Sequence, residues 1–275
     1  MSISAPRYVV PPTPRTGRAS RLLAIADREF FRHAEWGTLL AVGFAYTATV
    51  LATVTTVLFA SLAGSVALDA FATVFASPLW PFLILIVTTA AGAGCLAEDV
   101  GNGSFTLYRA RPVHLVDYLA AKTVACGSWL VIASVGPGLV AVAVTAALGY
   151  AEAGLALHAA AAFAATGLLA AVFFTGLALA LSSLTDRALY AGVAIFGLVL
   201  SLYIGGALVA GLTGNPYVPY GSPIEDLHRV AIGAFQVSGT SGTSPAASAG
   251  VLAGAGIALW AFAGWRLTRL EVIAE

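Results

Sequence analysis

Residues 153–185 read AGLALHAAAAFAATGLLAAVFFTGLALALSSLT, thirty-three positions without an Asp, Glu, Lys or Arg, and from Leu155 to Val172 they are apolar on every side. A helix needs about 20 apolar residues to cross the hydrocarbon of a bilayer, and this stretch has room for one crossing. A membrane β-barrel would instead show segments of about ten residues alternating apolar and polar, which this stretch and Leu83–Val87 (LILIV) do not. Five further stretches repeat the pattern: 36–68, 70–97, 123–151, 188–224 and 230–265. The six together hold 196 of 275 residues, so all 26 formal charges crowd into the other 79. A soluble domain is about one quarter charged and does not clump its charges in this way. The pattern therefore excludes a soluble globular enzyme, a disordered chain and a disulfide-stapled secreted protein. It predicts an all-α polytopic membrane protein with six transmembrane helices, at residues 38–60, 78–97, 118–148, 158–182, 188–212 and 247–265.

The basic residues orient those spans. Twelve of the 13 Lys and Arg fall on one side: six before the first span, Arg109, Arg111 and Lys122 between spans 2 and 3, Arg187, and Arg266 and Arg269 after the last. Only Arg229 falls on the other. Bases accumulate on the cytoplasmic side, so both termini are expected there in a multi-pass arrangement. The zero net charge argues against a nucleic-acid-binding surface. Cys95 and Cys126 are too few for a disulfide framework and lack metal-ligand spacing, and read as two reduced, inert thiols. The first 36 residues hold six Arg and no apolar core, unlike a cleavable signal. Residues 1–20, rich in Pro and Arg, read as a disordered cytoplasmic tail, and 21–275 as a single transmembrane domain.

Inside the spans, absence is informative. Ion- and proton-coupled carriers place an ionisable side chain within the membrane as a relay or ligand. Here none lies deep in a span: His158 sits at an outer boundary and Lys122 at an inner one. Gly136-Pro137-Gly138 interrupts span 3, where Pro removes a helix hydrogen bond, and predicts a kink. Gly250 and Gly254, and Ala90–Gly94, are small-residue stretches suited to close helix contact. Thr49, Thr53 and Thr56 share one face of span 1. They either bond back to their own helix, as membrane Thr commonly do, or line a pathway.

Three segments outside the spans carry information. Residues 21–36 (RLLAIADREFFRHAEW) place Leu22, Leu23, Ala26 and Phe30 on one helical face and Asp27, Arg28, Glu29 and Arg32 around the other. This is an amphipathic helix for the inner membrane surface; the alternative is a solvated extension of span 1. Between spans 2 and 3, EDVGNGSFTLYRARPVHLVDYLAAK (98–122) opens with two acids, turns at Gly101-Asn102-Gly103, allows one or two helical turns over Phe105–Arg109, and stops at Pro112. His114 near an N-cap with Asp117 three residues on marks the start of span 3. The aromatics Phe105 and Tyr108 make this segment more than a connection, and suggest a docking element on the cytoplasmic face. Asn102-Gly103-Ser104 matches a glycosylation sequon, by chance on that side. In the outer region 213–246, Ser222-Pro223-Ile224-Glu225 forms a capping box with Pro at the first helical position. The apolar face Ile224, Leu227, Val230, Ala231 and Ala234 then predicts a short helix on, or dipping into, the outer leaflet, and Glu225 can pair with Arg229 one turn on.

The 98–122 segment resembles the corresponding loop of ABC-2 type transporter permeases. In that family an acid pair precedes Gly-Thr, Pro-Val follows nine residues after the Gly, and Gly-Lys ends ten residues after the Pro. Here Glu98-Asp99, Gly103-Ser104, Arg111-Pro112-Val113 and Lys122 keep both spacings. The basic, aromatic helix before span 1 resembles the family's elbow helix, carried by Arg28, Glu29, Phe30 and Arg32. Leu181-Ser182-Ser183-Leu184 resembles its serine motif closing span 4. Ser104 for Thr, His114 for Ser and Ala121 for Gly depart from the pattern and obscure the subfamily.

The resemblance implies the permease subunit of an ABC transporter in a prokaryotic plasma (inner) membrane, paired with a separate ATP-binding cassette ATPase and a second permease copy, identical or a paralogue. ATP and Mg would be bound by the partner, since no G-x-x-x-x-G-K-[ST] motif occurs here; the chain itself needs no cofactor and is not expected to be an enzyme. The 98–114 loop would be the coupling helix seated on that ATPase. Glu98, Asp99, Gly103, Phe105, Tyr108, Arg109, Arg111 and Pro112 would be its contact residues, and Thr49, Thr53 and Thr56 the possible pathway lining. The charge-free spans point to export of a hydrophobic or amphiphilic substrate. A self-contained secondary transporter or channel is the alternative, and the lack of an embedded relay argues against it. An intramembrane enzyme lacks its Ser/His, Asp/Asp or His/Glu constellation.

Overall fold

The first two helices of the chain are separated by a three-residue break. In the computed structural model, which describes residues 17–64, 66–103, 114–215, 218–237 and 244–273, α1 (Arg18–Arg32) ends at His33, and α2 (Trp36–Leu62) starts after Glu35, whose extended backbone begins the new helix. The amphipathic helix is therefore a separate element and not an extension of span 1. After α2 come a short α3 (Leu68–Phe75), then α4 (Leu79–Gly92) and α5 (Gly94–Gly101). Helical dihedrals at Ala93 join the last two into one span. α6 (Leu115–Ser134) and α7 (Gly136–Ala147) form the third span, broken at Val135 as Pro137 predicts. α8 (Ala153–Ser182) and α9 (Ala188–Thr213) follow; Gly214, at φ +63°, stops α9 by taking up the left-handed conformation that glycine adopts without strain. A 3₁₀ turn at Val218–Gly221, α10 (Pro223–Ala234) and α11 (Pro245–Ile273) complete the fold. No strand occurs among the described residues.

Among the described residues, six helices are long and apolar enough to cross a membrane, at 36–62, 79–101, 115–147, 153–182, 188–213 and 245–269. The all-α six-span reading is borne out. The boundaries differ in one way that matters: the second span runs four residues past its expected end and carries Glu98 and Asp99 within its last helical turn. The spans alternate in direction. α1, the end of α5 and the start of α6 lie at one end of the bundle, and α3 and α10 at the other.

Spans 2 and 4 form the centre, with 72% and 67% of their most apolar 18-residue stretches buried, against 11% for that of span 5. Glycine permits the tightest crossings. A Cβ on Gly176 of α8 would collide with the Gly256 carbonyl of α11, and one on Gly138 would meet the Phe163 ring at 2.5 Å. Gly92 lies against Ala178 in the same way, so the expected thinning of span 2 falls where α4 crosses α8. Gly250 and Gly254, by contrast, face open space. The close contact of the last span uses Gly256 instead, because that is the face α11 turns to α8.

At the α10 end, Phe71, Phe75, Trp80, Phe163 and Phe235 cluster, with ring centroids 4.3 Å apart for Phe75–Phe163 and 4.8 Å for Phe163–Phe235. The Ser222 hydroxyl accepts from the Glu225 amide, as the capping box predicts. Of the predicted apolar face of α10, Ile224, Leu227, Val230 and Ala231 are buried and Ala234 half-buried, with the helix packed among α8, α9 and α11. Two further bonds fix it. Ser248 Oγ of α11 donates to Asp226 Oδ1 at 2.8 Å, and His158 Nε2 lies 3.1 Å from the Ala234 carbonyl oxygen.

Candidate functional site

Three helices bring charged side chains together at the α1 end of the bundle. The last two turns of α1 supply Glu29 and Arg32, the last turn of α5 supplies Glu98 and Asp99, and the first two turns of α6 supply Tyr118 and Lys122. Glu29 is 2% exposed, Asp99 1% and Lys122 not at all. A buried charge left alone would cost several kcal/mol, so each must find a partner. Lys122 Nζ lies 2.6 Å from Glu29 Oε2 and 2.7 Å from Asp99 Oδ2. The Tyr118 hydroxyl donates to the same Asp99 oxygen at 2.7 Å. The Arg32 fork donates to Asp99 Oδ1 at 2.8 Å and to Glu98 Oε2 at 2.6 Å, and reaches Glu29 Oε2 at 3.5 Å. Burial works against the Arg32 charge, but the hydrogen bonds to Asp99 and Glu98 outweigh it and raise its affinity for the proton further.

Neighbouring contacts hold α1 along α6. Phe30 stacks on Trp129 at 4.5 Å and 4°, while Trp129 Nε1 donates to the Phe30 carbonyl oxygen at 3.2 Å. At the other end of α1, the exposed Arg18 grips Asp117 with Nε at 3.0 Å from both carboxylate oxygens and Nη2 at 2.5 Å from Oδ1. The end of α5 also runs against the turn joining α8 and α9, where a Cβ on Gly101 would collide with the Asp186 carbonyl. Ser182 and Ser183 at that turn are buried and bond back to Leu179 and Ala180. One junction thus joins α1, the second and third spans and the end of the fourth.

Sequence reasoning and structure distribute these residues differently. Asp99 faces inward with both oxygens engaged by this chain, whereas the Glu98 side chain is 37% exposed. Glu29, expected on the solvated face of α1, is its buried charge; Leu23 and Phe31 are about two-thirds exposed instead. Arg28 is exposed. Gly103 closes the turn after α5 with φ +67°. Phe105, Tyr108, Arg109, Arg111 and Pro112 lie outside the described residues. Thr49 and Thr53 are buried in the bundle, and all three Thr hydroxyls of that face bond back to their own helix at 2.8 Å. Cys95 and Cys126 are free and buried. Tyr118 and Trp129 went unnoticed in the sequence, although their spacing from Lys122 sets all three on one face of a helix.

Beside the junction, between the α1–α2 break, span 2 and α9, lies a cavity of about 650 Å³. Its walls include Ala93, Leu189, Val193 and Phe196, and its polar groups include His33, Glu35, Thr38 and Glu98.

No curated protein matches the chain. Compared with protein families, residues 75–269 match the one described as ABC-2 family transporter protein. That match takes in spans 2 to 6, the Glu98–Lys122 segment and the whole α10 region, and the six-helix architecture agrees with it. The chain belongs to the ABC-2 family of transporter proteins.

Proposed function

We propose that the chain is the membrane subunit of an ATP-driven exporter of hydrophobic or amphiphilic molecules. It works as two copies with two separate ATP-binding cassette subunits, in a prokaryotic plasma membrane with both termini in the cytoplasm. ATP and Mg are held by those partners. The observation that supports this reading best is the buried Glu29–Lys122–Asp99–Arg32 junction. It fastens both helices that flank the 102–114 segment, and α1 with them, into one body, so a force applied to that segment moves spans 2 and 3 together instead of bending a loop. Closure of the ATPases on nucleotide would push there and rock the first, second and fifth spans about a shared pathway. The twelve-to-one bias of bases towards the junction end supports its cytoplasmic placement. The ionisable groups lie at the span ends and not along a membrane-crossing relay, which favours an outside energy source.

Co-expression with an ATP-binding cassette subunit should yield a complex with vanadate-sensitive ATP hydrolysis. Arg109→Glu with Arg111→Glu should weaken that complex without lowering the thermal midpoint of the permease alone. A double variant that binds and stimulates the ATPase as the wild type does would overturn the coupling assignment, and a permease that transports on an ion gradient without ATP would overturn the class.

A further inference from the structure

We propose that the cavity between the α1–α2 break, span 2 and α9 binds a monocationic amphiphile, with Glu35 as the counter-ion of its charged group. The inference rests on the functional reading above, and narrows its cargo to one charge class. The cavity, at about 650 Å³, is large enough for a drug-sized molecule. Ala93, Leu189, Val193 and Phe196 offer an apolar wall, and Val193 and Leu189 are largely exposed, which leaves the cavity open on the side that the first, second and fifth spans turn to the shared pathway. Two carboxylates, Glu35 and Glu98, line it together with the buried His33 imidazole. Glu98 is already held by Arg32 at 2.6 Å. Glu35 is exposed, makes no side-chain cap bond to α2, and has no base within ion-pair distance among the described residues. Thr38, whose hydroxyl donates to the Ala90 carbonyl oxygen at 3.3 Å, is buried beside it. An unbalanced carboxylate at the mouth of an apolar chamber selects a molecule with an apolar body and one positive charge. It disfavours an anion of the same shape, which would meet like charge.

Radiolabelled tetraphenylphosphonium and its near-isosteric anion tetraphenylborate separate charge from hydrophobicity. Binding is measured on the full-length chain, without an ATPase, in phosphatidylglycerol nanodiscs. The cation should bind saturably and the borate should not displace it. Glu35→Gln should weaken the cation by roughly three- to tenfold, the size expected for a partly exposed charge pair. Gly197→Leu, which fills the cavity from a position with open space around its Cβ, should also weaken it; Gly211→Leu, equally open but at the far end of α9, should not. Equal affinity of wild type and Glu35→Gln, or equal binding of both ions, overturns the charge assignment. Loss of cation binding when the discs contain phosphatidylethanolamine identifies a lipid amine as the occupant and overturns the proposal in favour of a lipid site. Binding as expected with no effect on a partner ATPase leaves the site standing and counts against the exporter reading; stimulation of that ATPase by neutral amphiphiles with no cation site does the reverse.

Discussion

Replacing Lys122 with Met keeps the length and apolar stem of the side chain and removes the ammonium that Glu29 and Asp99 share. Both carboxylates are within 2.7 Å of that ammonium and have almost no contact with solvent. Removing one partner of a buried pair costs about 3–5 kcal/mol, because a charge is left behind in a poor solvent. Two features place this case at the lower end. Arg32 still bonds Asp99 at 2.8 Å and reaches towards Glu29 at 3.5 Å. The orphaned charge also has an escape: a carboxylate with an ordinary value near 4 can take up a proton at pH 7 for about 4 kcal/mol, which caps the penalty. The expected loss is therefore about 3 kcal/mol at pH 7. In a domain of this size that lowers the thermal midpoint by roughly 6–12 °C. The escape adds a signature that simple loss of packing lacks. Once the variant neutralises itself by protonation, its deficit shrinks by up to about 1.4 kcal/mol for each pH unit of acidification. Fluorescence-monitored melting of the detergent-solubilised chain between pH 5 and 8 reads both. Glu29→Gln combined with Lys122→Met should recover part of the loss, since one of the two stranded charges is gone. A variant as stable as the wild type at pH 7, or a deficit independent of pH and untouched by the second substitution, would refute the buried pairing.

Gly176→Ala drives a methyl into the Gly256 backbone and should cost about 1–3 kcal/mol, whereas Gly250→Ala and Gly254→Ala, in open space, should be neutral or gain up to about 1 kcal/mol from helix propensity; melting of the three variants in parallel checks the contact. Burial pushes the Asp226 carboxyl up to about 6, with Ser248 and Arg229 pulling the other way. Its folded form thus binds more protons than the unfolded one, and its contribution is greatest below about pH 4 and is lost as pH rises through 6. Asp226→Asn should remove that downward slope from the melting profile between pH 5 and 7.5, and a slope unchanged in the variant contradicts it. Arg18→Ala breaks a short but exposed pair with Asp117, and should leave the midpoint within error at 0.15 M salt, where such pairs are screened; a clear drop would show that this end of α1 is held more tightly than its exposure implies.

The six spans and the break at Val135 were legible because they follow from length, hydropathy and a single Pro, all of which are local. The start of α10 was legible for the same reason, since a capping box is satisfied within four residues. What the sequence withheld was which surface each face meets. The apolar stripe on α10 is real, but a stripe does not say whether lipid or three other helices will cover it. Small residues pose the same problem. In a chain with 29 glycines, the Gly250–Gly254 spacing is no better a contact signal than Gly256 alone, and only the direction of α11 against α8 decides between them. Thr49, Thr53 and Thr56 follow one another at helical spacing, and their hydroxyls bond to the carbonyls of the preceding turn, the local alternative that spacing alone already offered.

Glu29 shows the limit most clearly, and it also changes what the Glu98–Lys122 spacing means. On a helical wheel a carboxylate among Asp27, Arg28 and Arg32 belongs to water, and the wheel cannot show an ammonium that arrives from 93 residues further along the chain. With that ammonium in place, the acid pair, the turn glycine and the terminal lysine stop being a row of surface contacts. Asp99 and Lys122 stand 2.7 Å apart at the two ends of a connection of some twenty residues, so they close it as a clasp closes a loop. The spacing between them is the length of chain that must be spanned before the next helix can return to the same point. It follows that charge reversal at Asp99 would report on assembly of the junction and not on partner recognition. On the proposed coupling role, Arg109 and Arg111 are the positions where a defect in docking could be separated from a defect in folding, whereas Glu98, half-buried and held by Arg32 at 2.6 Å, would report on both.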